Sequence, residues 1–369
     1  MISKNTNDAV KRSFPSPGIL ALFFCCFIAA LVYFTHGCDP QAFVLVGEKF
    51  ALGDPSGTVG YDGQFAYYIA VDPLGAPAYL DDPPYRYQRI LYPLLARLLA
   101  FGQPALVPWA LLFVNIVSIS LSTELLARML SQRGLGPYLA ILFPLWLGQI
   151  FALRADLNEP LCFLLVLLAL WWYERQQLQL SAVALAAGAL AKESALLFLP
   201  AIILVLLLRR EHWFALRYAL VGLLPYAALQ CGLYLWLGGF GFVGKGAGFE
   251  RIPFYGFVVT EPPAARIFLV IFFALPVAAL LALAVRQLLR TARSVHAWAL
   301  LTNCLFIIFL TRVSTIDVLA VFRLATGVVV AALLFCAAHR RRRLALLLHA
   351  VWLPPSMIAA MIPGFLLRP

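Results

Sequence analysis

The sequence predicts an all-α, polytopic membrane protein with about eleven transmembrane helices and a long first outer loop carrying amphipathic helices. Three observations carry this fold class. Hydrophobic residues make up 63% of the 369 and charged residues only 12%, too few charges to cover a water-facing surface. Apolar runs near the length of a membrane span recur along the whole chain. The basic residues gather in short clusters between those runs: Lys11-Arg12, Arg128 and Arg133, Arg209-Arg210, Arg286, Arg290 and Arg293, and Arg340 to Arg343.

In order, spans are expected near 18–36, 104–127, 137–153, 160–174, 179–191, 194–208, 214–237, 265–285, 296–311, 315–338 and 344–362. They form one integral domain, 18–362, between a cytoplasmic tail at 1–17 and a short tail at 363–369. The first run follows Lys11-Arg12 as a signal peptide would, but no small-x-small cleavage site follows it, so a retained helix is expected. Outer loops at 37–103 and 238–264 connect spans, and the pattern from Ile90 to Phe101 reads as a helix lying on the membrane surface, with Arg89 and Arg97 able to snorkel.

A net charge of +11 invites a nucleic-acid reading. The spacing of the clusters instead follows the excess of Lys and Arg in cytoplasmic loops, so no nucleic-acid partner is expected. The seven cysteines show no CxxC spacing and read as small core residues, and the five histidines form no metal-binding cluster.

With the N-terminus inside, the Arg clusters all fall inside and the carboxylates segregate. Thirteen of them, Asp62, Asp72, Asp81, Asp156, Glu159, Glu193 and Asp317 included, fall at or near the outer face. Acidic residues contribute little to topology, so the outer face has a use for them.

Asp62, in YDGQF, stands beside Gly63, which permits an unusual turn, and shares a helical face with Phe65 and Ile69. Partial desolvation there raises a carboxyl towards general-base values; the bland reading is a loop carboxylate or helix cap. Arg86 and Arg89, in YRYQR, suit phosphate recognition or, equally, interfacial anchoring. RADLNEP places Arg154, Asp156 and Glu159 between two runs, where charges persist only for pairing or function. Lys192 and Glu193, in AKES, break an apolar stretch too long for one span and mark an outer turn or a charge in a cavity. GFGFVGKG, from Gly239, satisfies GxGxxG but follows a membrane helix and has Gly246 where a Walker motif needs Ser or Thr; a substrate-covering loop is the better reading.

These stretches, with VPWALLFVN, PYAALQCGLYLWLG and PFYGF, make the chain resemble the GT-C superfamily of integral-membrane glycosyltransferases, and more narrowly a bacterial family linked to cell-surface glycopolymer formation. The resemblance runs in order from about residue 60 to 260. It implies a sugar taken from a polyprenyl-phosphate donor and passed to a glycan or glycolipid acceptor on the outer face of the bacterial cytoplasmic membrane, with the surrounding lipid as a further partner. It implies Asp62 as base or metal ligand, where many members carry a close acidic pair and this chain has only Asp72 ten residues on. Asp156 and Glu159 would then orient the cations or the acceptor, and Arg86, Arg89 and Lys192 would hold the departing phosphate. Tyr61, Gln64, Tyr68, Asp72, Tyr85, Arg154 and Glu193 complete the expected substrate contacts, with Phe65 and Tyr67 among the rings for sugar or polyprenyl. A divalent cation held by Asp62 and a second outer carboxylate is left open. A flippase moving lipid-linked sugar without chemistry, or a non-catalytic assembly subunit, is the alternative; a flippase would carry charges inside interrupted helices.

Overall fold

The computed structural model describes residues 14–244 and 248–361. Lys11-Arg12, the Lys245-Gly246 end of GFGFVGKG and the C-terminal tail lie outside those residues. The described chain is helical throughout, and its one extended pairing is an isolated bridge between Phe249 and Leu310.

Helix α1 (Pro17–Thr35) starts at Ser16, whose side chain accepts the Ile19 N–H, with proline at the first position, where no N–H is needed. The segment 37–103, expected as the first outer loop, contains α2 (Gly63–Val71), α3 (Pro83–Tyr87) and α4 (Leu91–Leu99). Helix α4 is amphipathic as expected and buries Tyr92, Pro93 and Ala96. Its Arg97 does not snorkel: Nη1 donates to the Ala70 and Val71 carbonyls at 2.9 and 2.6 Å, closing the C-terminal end of α2, whose last carbonyls lack helical partners.

The bundle follows: α5 (Val107–Ser131), α6 (Leu147–Arg154), α7 (Glu159–Glu174), α8 (Leu178–Ala191), α9 (Leu199–Leu208), α10 (His212–Leu237), α11 (Leu275–Arg290), α12 (Val295–Ile308), α13 (Val318–Leu324), α14 (Thr326–Ala338) and α15 (Arg342–Met361). Helix α5 packs on α1 and α7, α8 on α7 and α10, and α12 on α9, α11 and α14. Every residue of α14 from Thr326 to Ala337 is buried, as suits a helix apolar all round. Helix α10 instead exposes Leu220, Leu223, Leu224 and Leu235, a face for lipid.

Two spans are bent. The segment Pro137–Leu145 meets α6 at 51°, with Trp146 extended between them, and α13 meets α14 at 40°. The bends lie against each other: Trp146 Nε1 donates to the Phe322 carbonyl at 2.8 Å, and a Cβ on Gly148 would collide with that carbonyl. A glycine is needed here because α6 and α13 touch backbone to backbone.

Among the described residues five helices are long and apolar enough to cross a membrane, or seven if each bent pair is one span. By that criterion the expectation of eleven is too high. The runs are helical, but α7, α8 and α12 have only 16, 14 and 14 residues, against the roughly 20 a full span requires. The protein is nonetheless an all-α polytopic membrane protein, and its connections alternate between two ends. At one end meet Asp62, Glu159, Lys192 and Arg323. At the other, Glu174 pairs with Arg133 at 2.8 Å and His296 at 2.9 Å, and Ser294 with His339 at 3.0 Å.

Candidate active site

The 37–103 segment is pinned to the bundle by close backbone contact. A Cβ on Gly63 would collide with the Ala155 carbonyl, so the start of α2 lies directly on the 154–159 turn. Gly63 is therefore helical and serves contact; the left-handed turn falls on Gly60, with φ +68°. Asp62 stands at the helix N-terminus without capping it through its side chain.

That placement brings Asp62 between two arginines from opposite ends of the sequence. One carboxylate oxygen accepts from Arg86 Nη1 and the other from Arg323 Nη2, each at 3.0 Å. Arg86 is held on its far side by both Asp81 oxygens at 2.7 and 2.8 Å. Arg323 also donates to Glu159 at 2.7 Å and to the Tyr61 hydroxyl at 3.0 Å, which in turn donates to Asp317 at 2.7 Å. Glu159 accepts from Lys192 at 2.6 Å, and Arg89 binds both oxygens of Glu193 at 2.9 and 2.6 Å and the Tyr85 hydroxyl at 2.7 Å. Arg86, Arg323 and Lys192 are thus joined through Asp62 and Glu159, and the Arg89–Glu193 pair lies beside them, so that four cations and their carboxylates form a charged floor. Glu159 and Lys192 are 0% and 3% exposed, whereas the Asp62 and Glu193 side chains keep 31%.

Several expectations need correction. Burial draws the Asp62 carboxyl upward, but the Arg86, Arg323 and Arg89 guanidiniums outweigh it and hold the group far below the usual carboxylate range. Asp62 is therefore a firmly ionised counter-ion in this state, not a base raised by desolvation. Arg89 does not snorkel, because Glu193 and Tyr85 hold it in the floor. Gln64 is buried away from it, donating to the Val59 carbonyl and accepting the Gly47 N–H, and so shapes the loop. Tyr68 stacks on Tyr79, Tyr67 accepts from Gln41, and exposed Asp72 accepts the Leu74 N–H beyond α2. Arg154 donates to the Ala42 carbonyl at 2.5 Å, tying the 37–103 segment to α6. Phe65 lies under Arg86, its ring centroid 4.2 Å from the guanidinium carbon, and so supports a cation.

Asp156 lies behind the floor. Its φ is +45°, it is fully buried, and among the described residues neither carboxylate oxygen has a hydrogen-bond partner. It borders a small space shared with Asp62, Arg86, Arg89 and Arg323. Burial pushes its carboxyl well above the usual range, against the opposing pull of Arg154.

Above the floor opens a cavity of about 760 Å³. Tyr61, Asp62, Tyr85, Arg86, Arg89, Lys192, Glu193 and Arg323 line its charged side. Leu196, Phe249, Phe306, Leu310, Val313 and Leu324 line an apolar side. Phe242 joins the rim as the end of a stack running from Tyr234 through Phe240, with centroid spacings of 4.7 and 5.2 Å. Among the described residues no group of three or more His, Cys, Asp or Glu could hold a metal ion. Both Asp62 oxygens face guanidiniums.

Arg323 is the charged residue of the cavity that the sequence reading passed over, and Asp81 and Asp317 were recognised only as carboxylates expected at the outer face. The signal was present: a lone arginine inside the apolar run 315–338, where a charge at membrane depth is expensive.

With this geometry in hand, comparison with known proteins adds one likeness. Residues 108–260, less than half of the chain, match the family model described as ALG3 protein, one of GT-C type. The match spans RADLNEP and AKES but reaches neither the first outer loop nor Arg323. No curated protein and no solved structure matches the chain. The likeness supports a membrane glycosyltransferase that depends on lipid-linked sugar.

Proposed function

We propose that the protein transfers a sugar from a polyprenyl-phosphate donor to a cell-surface glycopolymer or glycolipid acceptor, at the outer face of a bacterial cytoplasmic membrane. The observation that carries this reading is the two-sided cavity. Its charged floor suits a phosphate and a sugar, and its apolar side suits an isoprenoid chain. The match to the ALG3 model supports the reaction class. In this mechanism Asp62 takes the acceptor's proton as its oxygen attacks the anomeric carbon. Arg86, Arg89 and Lys192 stabilise the charge developing on the leaving phosphate. Glu159 fixes Lys192, and Glu193 fixes Arg89. Tyr85 and the Tyr234–Phe240–Phe242 stack offer ring faces to the substrate.

The test supplies radiolabelled polyprenyl-phosphate sugars to membranes containing wild type or Asp62→Asn at equal abundance. Transfer by wild type, reduced about 10²-fold or more in the variant, is expected for a lost general base. Normal transfer by the variant removes Asp62 from catalysis. A second reading, a flippase for lipid-linked sugar, draws on the bent α13–α14 span that carries Arg323 beside its break. It predicts sugar-lipid movement across proteoliposomes and no transfer.

A further inference from the structure

The charged floor holds a chemical contradiction. Asp62, the group assigned to take a proton, is clamped by two guanidiniums, while the arginines assigned to a phosphate are already neutralised by carboxylates. The two facts resolve together if one anion replaces the other.

The contacts show which partner can leave. Arg86 keeps two bonds to Asp81 and lies on the Phe65 ring, so it stays in place without Asp62. Arg323 keeps Glu159 and Tyr61 and is only 6% exposed. Asp62 has no other side-chain hydrogen bond among the described residues, makes no cap bond, and faces the cavity with 31% of its side chain exposed. Two fixed cations share one removable carboxylate. Each donates one N–H to it, the geometry that two oxygens of a phosphate accept equally well.

We propose that Arg86 and Arg323 form the seat of the donor's phosphate and that Asp62 is its resting occupant, so carboxylate and phosphate exchange on the same two guanidiniums in each turnover. The proposal rests on the transferase reading and deepens it. The donor's phosphodiester, with one negative charge, displaces one carboxylate charge. The acceptor oxygen then bonds to the anomeric carbon as the bond from that carbon to the phosphate oxygen breaks, its electron pair passing to the phosphate. The acceptor's proton goes to Asp62, freed from its clamps. A dianionic phosphomonoester and a neutral Asp62 result, with total charge conserved. When Asp62 gives its proton to solvent, it reclaims the guanidiniums and helps to expel the product. The donor must therefore bind before the acceptor can be deprotonated.

The distinguishing experiment measures binding of a polyprenyl phosphate, without sugar, to purified full-length protein in detergent. Asp62→Asn removes the competing anion and is expected to bind about tenfold more tightly or better, the scale of one charge-assisted pair. A conservative Asp62→Glu, which keeps the charge, is expected to bind near the wild-type level. Arg323→Gln is expected to bind about tenfold more weakly, and it is the deciding arm if Asp62→Asn cannot be purified folded. Inorganic phosphate, run in parallel, identifies the ligand: tightening with both probes shows that the phosphate group suffices, and tightening with the lipid alone shows that the chain is required, each supporting the exchange. Unchanged or weaker binding by Asp62→Asn, or unchanged binding by Arg323→Gln, overturns it. Sugar transfer is scored separately. A wild type that shows the exchange but transfers nothing sinks the transferase reading alone. One that transfers sugar while Asp62→Asn binds no tighter sinks the exchange alone.

Discussion

Asp62 and Asp156 are neighbouring carboxyls whose surroundings push them in opposite directions, Asp62 down by its guanidiniums and Asp156 up by burial. Asp62 is depressed by its guanidiniums, so its contribution to stability is complete above the ordinary carboxylate pKa of about 4 and is lost only as pH falls below it. Asp62→Asn is accordingly expected to destabilise the resting protein by roughly 1–3 kcal/mol, with a gap that stays constant from about pH 5 to 8 and closes only in acid. Melting curves across that range check it. A gap that varied near neutrality would point to another titrating group. Asp156 is raised, so the sign reverses: the folded state holds a proton that the unfolded chain releases, and stability falls as pH rises above the ordinary carboxylate pKa. Asp156→Asn keeps the shape without that proton and should raise the melting temperature at pH 7. An unchanged melting temperature would mean that the carboxyl is not held neutral. Tyr61, Asp62, Arg86 and Lys192 were legible as polar residues in costly places. For Gln64, Tyr68 and Asp72, nearness to Asp62 in sequence did not say which way each residue points from a short helix.

At the level of elements, the crossing of the two bent spans decides where Arg323 sits. Gly148 permits the backbone of α6 to lie on the carbonyl of Phe322, one residue before Arg323. Gly148→Ala should force the elements apart, lower stability by about 1–3 kcal/mol, and cost at least tenfold in sugar transfer through displacement of Arg323. Transfer assays at matched protein level test this, and retention of full activity would detach the crossing from function. Arg97→Ala, which removes the closure of α2, should cost about 1 kcal/mol, read as a lower melting temperature. Neither device was visible in the sequence. A glycine in an apolar run has the same composition whether it faces lipid or a neighbouring carbonyl, and Arg97 has the pattern of an anchoring arginine until its acceptors are known.

Across the whole molecule, the composition and the spacing of apolar runs and Arg clusters were enough to specify an all-α polytopic membrane protein. Span number was less legible, because several runs form helices too short to cross alone and depend on the bundle around them. The alternation of connections has a direct check. Cys38 is exposed at the end that carries the charged floor, so an impermeant thiol reagent should label it from that face in sealed vesicles. A cysteine introduced by Gln177→Cys at the opposite end should react only after the membrane is opened. Labelling of both from one side would overturn the alternation.

The network that joins Asp62 to Arg323 spans 261 positions of sequence, and this bears on how the protein is made. As the chain emerges, α2 and the carboxylates at 62 and 159 are produced long before the arginine that neutralises both. Until the bent α13–α14 segment enters the membrane, Glu159 depends on Lys192, and Asp62 on Arg86, for compensation. Arrival of that late segment brings Arg323 against both carboxylates and completes the charged floor, so a chain that stalls or loses its last spans leaves Asp62 and Glu159 each one cation short.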